Sequence, residues 1–462
     1  MANRRLSERA VAALFFFPRG GSAFVARSLC RALPATGWNP TLVAGSLGHA
    51  GDPGCAATFF GGIDLRPVRY GVGPAPLSPP SYEPAAELAF PAVADDVYER
   101  LVAVWARALR AAGAATASVL HLHHLTPVHE AALRFFPDVP IVSQLHGTEL
   151  AMVRAIETAP PPAWRHAPVW RKRLRRWARG SAAVVCLPAS VEEAATRLGV
   201  PQARLVSLPN GVDTELFRPR PLSPAKRMAF WRHWLVEDPA GWDESGVPGS
   251  VAYAEADLAP FAEAAAVLVS VGRFLAVKRL ELLVRAHKRA QERSRRPIPL
   301  VLVGGYPGEW EERHPLRIVR ELGAANVFLA GWRPHSAMPD AFNAADLLVF
   351  PSAGDSFGLP LVEAAACGVP AIAAAVGGPA EIVRDGETGW LVPADDEEAL
   401  ARAIAEAAAD PDERRRRGAH ALGANTQRFA WPAIAARLAE LFADVRRAHA
   451  LAKQRQLRAQ RS

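Results

Sequence analysis

The run VLVSVGRFLAVK, Val267 to Lys278, decides the fold. Its first half is apolar or small and carries no charge, which is how a strand buried on both faces reads. Gly272 and Arg273 follow at once, then Lys278, and a helical pattern takes over at Leu280–Gln291. A strand that passes into a helix through a short cationic loop is the building unit of a parallel sheet covered by helices. Downstream the alternation repeats. Leu300–Val303, Val327–Leu329, Leu347–Phe350, Ala371–Ala373 and Trp390–Val392 read as further strands, with Leu359–Ala366 as a helix between two of them.

Upstream the same alternation is present in the first half. Candidate strands are Val11–Phe17, Thr41–Ala44, Val119–His123, Ile141–His146, Ala183–Leu187 and Leu205–Leu208; Ser22–Leu33 and Val191–Leu198 read as helices. Gly71–Pro91 is rich in Pro and Ser and reads as a surface loop. A break follows Pro209-Asn210-Gly211-Val212-Asp213, and Pro219–Ser250, with its prolines, glycines and three tryptophans, reads as a linker plus insertion. The expected organisation is a first Rossmann-like domain over 1–213, a linker and insertion over 214–258, and a second Rossmann-like domain over 259–428. A C-terminal helix crossing back to the first domain, with a basic tail, is expected over 429–462. Two doubly wound α/β halves in tandem leave a cleft, and ligands in such sheets bind at the carboxyl ends of the strands.

Bulk properties agree. A chain of 462 residues suits two cores rather than one. Half the residues are apolar and 22% are charged, a soluble globular composition. Cys30, Cys55, Cys186 and Cys367 are scattered without metal-ligand spacing, which points to a reducing cytoplasm. No apolar run approaches the roughly 20 residues of a bilayer span. Ala10–Phe17 follows three arginines as a signal peptide would, but Pro18-Arg19-Gly20-Gly21 stands in place of a cleavage site, so a first strand is the better reading. The net charge of +8 permits contact with phosphates or anionic lipid. No zinc-finger spacing or aromatic RNA-binding signature accompanies it, so no nucleic-acid partner is expected. The basic tail reads as a solvated terminal helix.

Three loops carry candidate chemistry. Gly272-Arg273 and Lys278 put two fixed cations at a strand's carboxyl end beside a helix start, a suitable place for a diphosphate. Asp355-Ser-Phe-Gly-Leu-Pro-Leu-Val-Glu363 puts one carboxylate in a loop and another about a turn into the helix, with the amides of Gly358 and Leu359 at the helix start. The pair can accept hydrogen bonds from two separate hydroxyl groups; helix capping by Asp355 and a solvated Glu363 is the competing reading. Gly377-Gly378-Pro379-Ala380-Glu381 is a third loop, where paired glycines allow close backbone approach and Glu381 reads as a helix-start acid.

In this order the motifs Val271-Gly272-Arg273…Lys278, Leu302-Val303-Gly304-Gly305, Phe350-Pro351-Ser352…Phe357-Gly358…Glu363-Ala364…Cys367-Gly368-Val369-Pro370 and Gly377-Gly378…Glu381…Gly386…Gly389-Trp390-Leu391-Val392 resemble glycosyltransferase family 4. That family is retaining and has the GT-B fold. In the first half Gly20-Gly21-Ser22 resembles its glycine loop, His146-Gly147-Thr148-Glu149 its histidine turn, and Asn210-Gly211-Val212-Asp213 its lead into the second domain. The resemblance implies transfer of a hexose-type sugar from a UDP- or GDP-type donor to a glycan, lipid or small-molecule acceptor. It implies a donor-binding set of Gly21, Gly272, Arg273, Lys278, Phe357, Gly358, Leu359 and Glu363, with Arg273, Lys278, His146 and Asp355 as catalytic groups. Arg273 and Lys278 would neutralise the leaving diphosphate, Glu363 would hold the ribose, and Asp355 and His146 would meet the sugar.

Two departures stand out. Asp355 occupies a position where the family usually has Glu, and Arg279 follows Lys278 where Gly is common, adding charge near the phosphates. The first leaves a non-catalytic GT-B relative open as an alternative, alongside a sugar-nucleotide epimerase or a phosphorylase. A nicotinamide enzyme is disfavoured because no Gly-x-Gly-x-x-Gly follows the first strand.

Two further expectations concern partners. No metal or other cofactor is expected: His121, His123 and His124 could suggest one, but alternating histidines on a strand are read as pointing to opposite faces. Trp170, Leu174 and Trp177 share a helical stripe flanked by Arg171, Lys172, Arg173, Arg175 and Arg176. Such a helix could rest on anionic lipid, placing the protein peripherally at the inner membrane face, or could pack its stripe on the first domain.

Overall fold

The computed structural model describes residues 8–16, 18, 20–47, 49, 51–52, 54–69 and 89–460. Most of the loop expected over Gly71–Pro91, together with Phe17 and Arg19, lies outside the described residues. The chain divides into two units, one of residues 1–210 with 431–462, the other of 211–430.

The first unit is built on strands β1 (Glu8–Leu14), β2 (Trp38–Ser46), β3 (Leu65–Arg69), β4 (Val119–His123), β5 (Ile141–Gln144), β6 (Ala183–Cys186) and β7 (Leu205–Ser207). They lie in the order β3-β2-β1-β4-β5-β6-β7, every pairing parallel. The direction of winding reverses between β1 and β4, so the crevice for a ligand is expected above those two strands. β3 was not read from the sequence. Its Leu65-Arg66-Pro67-Val68-Arg69 carries two arginines and a proline, the composition of an edge strand, where one side of the ladder needs no donor.

The second unit holds β8 (Leu268–Gly272), β9 (Leu300–Gly304), β10 (Val327–Gly331), β11 (Leu347–Phe350), β12 (Ala371–Ala374) and β13 (Gly389–Val392), in the order β10-β9-β8-β11-β12-β13. Its reversal falls between β8 and β11. Strands of both sheets read as continuous apolar runs because helices cover both faces. Leu268, Leu300, Leu302, Leu347 and Val349 share a core with the helix Leu280–Arg293.

The stretch expected as a linker and insertion packs inside the second unit. Trp231 and Trp242 are fully buried there. Their indole nitrogens donate to the carbonyls of Ala344 and Gly305, at 3.2 and 3.1 Å. The C-terminal helix Trp431–Ala459 belongs to the first unit, where Ile434, Leu438 and Phe442 pack against Ala10, Trp38 and Val119. No described helix is long and apolar enough to cross a membrane.

The stripe Trp170, Leu174 and Trp177 is wholly buried, packed with Phe90, Tyr98 and Trp105 in the first unit's core. Of the two readings the sequence left open, the stripe follows the one that packs it on the first domain, and it presents no apolar face to lipid. The Trp177 indole donates to buried Glu130 at 2.8 Å, and Arg173 lies over the Tyr98 ring while pairing with Asp95. Arg175 pairs with Glu157 and Arg176 with Glu130. The apolar face of the helix is therefore committed to its own unit, and the amphipathic pattern records an inward stripe with a partly ion-paired rim.

Candidate functional site

In the second unit the sequence-predicted residues converge on the switch point. β8 ends at Gly272. A tight turn, Ala276–Lys278, then carries the lysine back across it, with the Lys278 Cε atom lying where a Gly272 side chain would crowd it. The neighbouring β9 ends at Gly304, whose φ is +119°; a Cβ there would fall 2.2 Å from the Gly272 carbonyl oxygen, so only glycine lets the two strand ends approach. Lys278 Nζ donates to Asp355 at 2.5 Å and sits 4.6 Å from the centre of the Phe350 ring. A small pocket is lined here by Gly272, Arg273, Lys278, Phe350 and Ser352. Arg273 is partly exposed, 3.8 Å from Glu309.

The loop after β11 is tied to the same turn. Ser352 Oγ and the Ala353 amide both donate to the Val277 carbonyl, at 2.9 and 3.1 Å. This brings Asp355 to Lys278 across 77 residues of sequence. Gly358 caps the helix Leu359–Ala366 in a left-handed conformation, φ +91°, which a side chain would strain. One turn in, Glu363 is mostly buried and accepts from His335 Nε2 at 2.7 Å. His335 follows β10 and was not singled out from the sequence. The signal available was its place in Gly331-Trp332-Arg333-Pro334-His335, a loop at the same carboxyl edge as the others.

The Phe357 ring is buried against Phe429, so the donor role expected of this residue concerns its backbone amide and not its ring. Two expectations need correction here. Arg279 does not add charge at a phosphate site: its guanidinium pairs with Asp395 at 2.7 Å. Its φ of +53° shows why glycine suits that position. Glu381 lies near the end of the short helix Gly377–Ile382, not at its start, and burial pushes its carboxyl above the ordinary value.

In the first unit Gly20, at φ +80°, caps the helix that begins at Gly21, directly after β1. On the other side of the reversal, β4 and β5 end in a histidine cluster. His121 and His123 are two residues apart and share a face of β4, their rings 4.5 Å apart, so the expectation of opposite faces was wrong. His121 Nε2 contacts Gln144 Oε1 at 2.8 Å, and His123 Nδ1 contacts His146 Nε2 at 3.0 Å. Buried Glu149 uses one oxygen for His124 Nδ1, at 2.6 Å, and the other for the His146 amide, at 3.1 Å. His124 itself sits at φ +62°, the left-handed region that a bulky side chain seldom occupies.

Electrostatics follow from burial. His121 is pushed down to about 4 by loss of solvent. His123 and His146 are driven well below the ordinary value, by burial first and by the neighbouring rings second. Burial works to raise the Glu149 carboxyl, but His124 beside it holds it below its ordinary value. His121, His123 and His146 are thus held towards their neutral forms. No group of three or more metal-ligating side chains is set to hold an ion among the described residues.

Comparison with known proteins adds the following. Residues 258–422 match the family described as Glycosyl transferases group 1, and residues 19–216 match Glycosyltransferase Family 4. Among curated proteins, the chain is 34% identical over 254 residues to a D-inositol 3-phosphate glycosyltransferase of Thermobispora bispora, covering 53% of this chain and 51% of that protein. A protein of the same name from Kribbella flavida is 33% identical over 246 residues, 52% and 50% of the two chains. The chain spans about half the length of these curated relatives. Among solved structures, a sucrose-phosphate synthase from Thermosynechococcus elongatus superposes with a TM-score of 0.67 at 24% identity, over 96% of this chain and 100% of that one. HepE of Anabaena, in complex with UDP and glucose, gives 0.64 at 17% identity, over 95% and 100%. These likenesses show a shared fold, GT-B.

Proposed function

The chain belongs to glycosyltransferase family 4, and from that premise we propose that it moves a hexose-type sugar from a UDP-type donor to a hydroxyl acceptor with retention of configuration. The observation that carries the reading is the gathering of two cations and two carboxylates at one switch point, Arg273 and Lys278 after β8 and Asp355 and Glu363 after β11, with Lys278 in contact with Asp355. Breaking the anomeric bond places negative charge on the departing diphosphate, and preorganised cations act most strongly where charge develops. In this reading Arg273 and Lys278 receive that charge. Lys278 exchanges its Asp355 partner for phosphate oxygens, which releases Asp355 to accept from a sugar hydroxyl. Glu363, held by His335, accepts from the ribose hydroxyls, and the helix-start amides at Gly358 and Leu359 bind donor oxygens. On the first unit, Gly21 opens a helix whose positive end favours phosphate, and His146 takes a hydroxyl of the sugar. A UDP-type donor is supported by the UDP and glucose bound to HepE. The curated relatives make D-inositol 3-phosphate the first acceptor to try.

The test is calorimetric titration with UDP, GDP, ADP and their common sugar conjugates without added metal, followed by turnover with D-inositol 3-phosphate. Selective binding of a uridine nucleotide, lost in Arg273→Ala, is the expected result. Folded protein that binds none of them would favour the second reading, a non-catalytic relative. Asp355 motivates that reading, since the shorter carboxylate is engaged with the very lysine the reaction needs. In that case Asp355→Glu should create turnover where the natural chain has none.

A further inference from the structure

The contact between His123 and His146 determines more than their spacing. His123 lies at the end of β4, buried, with its Nδ1 3.0 Å from His146 Nε2. The two rings are near-parallel, 21° apart. The other ring nitrogen of His123, Nε2, is buried without a hydrogen-bond partner. A neutral imidazole carries a single proton, and burial among other imidazoles keeps His123 neutral.

That proton has two possible seats. On Nε2 it would be a buried donor with nothing to meet, and His146 would have to donate to Nδ1. On Nδ1 it is used, and only a bare acceptor nitrogen is left over at Nε2. Orphaned buried N–H groups are the rarer and more costly defect, because the whole solvation of the donor is lost. The proton therefore sits on Nδ1 and points at His146 Nε2. His146 must then accept on Nε2 and, being neutral itself, carry its own proton on Nδ1.

We propose that His123 is a positioning residue that donates Nδ1–H to His146 Nε2, locks His146 in its Nδ1–H tautomer, and so makes it a fixed hydrogen-bond donor to a hydroxyl oxygen of the donor sugar. The last step rests on the assignment of His146 to the sugar under Proposed function; the tautomer does not. The ring is held in place from a second side. Glu149 Oε2 accepts from the His146 amide, and Glu149 Oε1 is occupied by His124. The carboxylate thus fixes the backbone of His146 while His123 fixes its ring, the division of labour seen where an outer partner sets which imidazole nitrogen is bare. His146 is only half-buried, which leaves its Nδ1 edge as the side chain's remaining polar atom. A fixed N–H at that edge favours a sugar that presents an oxygen acceptor there and disfavours one whose group at that position is deoxygenated.

The experiment is long-range proton–nitrogen correlation NMR on the full chain labelled with 15N-histidine, with signals assigned from His146→Gln and His123→Asn. The expected spectrum shows both His123 and His146 protonated on Nδ1 and bare on Nε2. An Nε2–H tautomer of His146 in the natural chain overturns the proposal, whatever the enzyme turns over. The second arm measures UDP release from UDP-glucose. His123→Leu, which keeps the volume and loses the donor, should shift His146 towards a mixture of tautomers and lower kcat about 10-fold to 100-fold, with KM changed far less. His123→Asn places an amide N–H where Nδ1 stood and should recover most of the loss. A folded His123→Leu with unchanged tautomer and unchanged kcat overturns the positioning role. Unchanged kcat in His146→Gln, beside an Nδ1–H tautomer in the natural chain, overturns instead the assignment of His146 to the sugar.

Discussion

Beside the reversal of the first sheet, β4 and the loop after β5 hold His121, His123 and His146, rings that burial pushes towards the neutral form. At the reversal of the second sheet, the loops after β8 and β11 bring together two basic and two acidic side chains, Arg273, Lys278, Asp355 and Glu363. The topology is the same and the electrostatics are opposed. A neutral imidazole with a defined tautomer is suited to a hydroxyl, since it donates or accepts without a net charge to desolvate. A partly exposed cation is suited to a phosphate, whose charge grows as the bond breaks. One architecture thus carries two different sets of polar side chains at the carboxyl ends of its strands.

The sharpest way to break this comparison is to remove a cation. Lys278→Ala should lower turnover of a UDP-sugar by roughly 100-fold to 1,000-fold, the scale for losing one preorganised contact to a developing anion. The melting temperature should change little, because among the described residues the Lys278 ammonium meets Asp355 and the face of Phe350 at the edge of the sheet. Turnover within a few-fold of normal would remove Lys278 from the diphosphate site.

Acid should separate the two units. His121 and His129 have values near 4 and 3 in the folded chain because burial disfavours their charged forms. His123 and His146 are depressed for the same reason. Unfolded, each would take up a proton below about 6.5. The stability they represent is complete above that pH and is lost as the pH falls towards the folded values. Between pH 7 and pH 5 His121 and His129 each remove on the order of 2 kcal/mol, and His123 and His146 act in the same direction. The second unit has only His287 and His314 depressed in this way among the described residues. Proteolysis across a pH series should therefore cut first within residues 1–210. First cuts within 211–430 would contradict the neutral-cluster account.

The smallest effect sharpens the distinction between charges of the second unit. Arg279→Gly loses an exposed ion pair with Asp395 and relieves a left-handed backbone. These contributions oppose each other, so stability should stay within about 1 kcal/mol and turnover near normal. A loss matching that of Lys278→Ala would return Arg279 to the phosphate site.

Much of this was legible in the chain. Continuous apolar runs located twelve of the thirteen strands, because strands buried on both faces leave no alternative composition. β3 escaped because an edge strand is free to carry arginine and proline. The motif Gly272-Arg273…Lys278 was readable because its parts lie close in sequence. The tryptophan stripe of residues 170–177 was readable as a pattern but not as a destination: a membrane and a protein core select the same spacing.

By itself, then, the sequence determined two doubly wound halves, their order, the cations after β8 and the carboxylates around Gly358. These depend on local periodicity and on residues that travel together along the chain. Tertiary structure alone decided what each charged or polar group meets: Lys278 with Asp355, Glu363 with His335, Arg279 with Asp395, Trp177 with Glu130, and His123 with His146. The physical reason is that pairing energy depends on distance and burial. Parallel sheets join strand ends that are far apart in sequence, so whether a histidine is neutral or a lysine is already engaged becomes defined only when the strands are side by side.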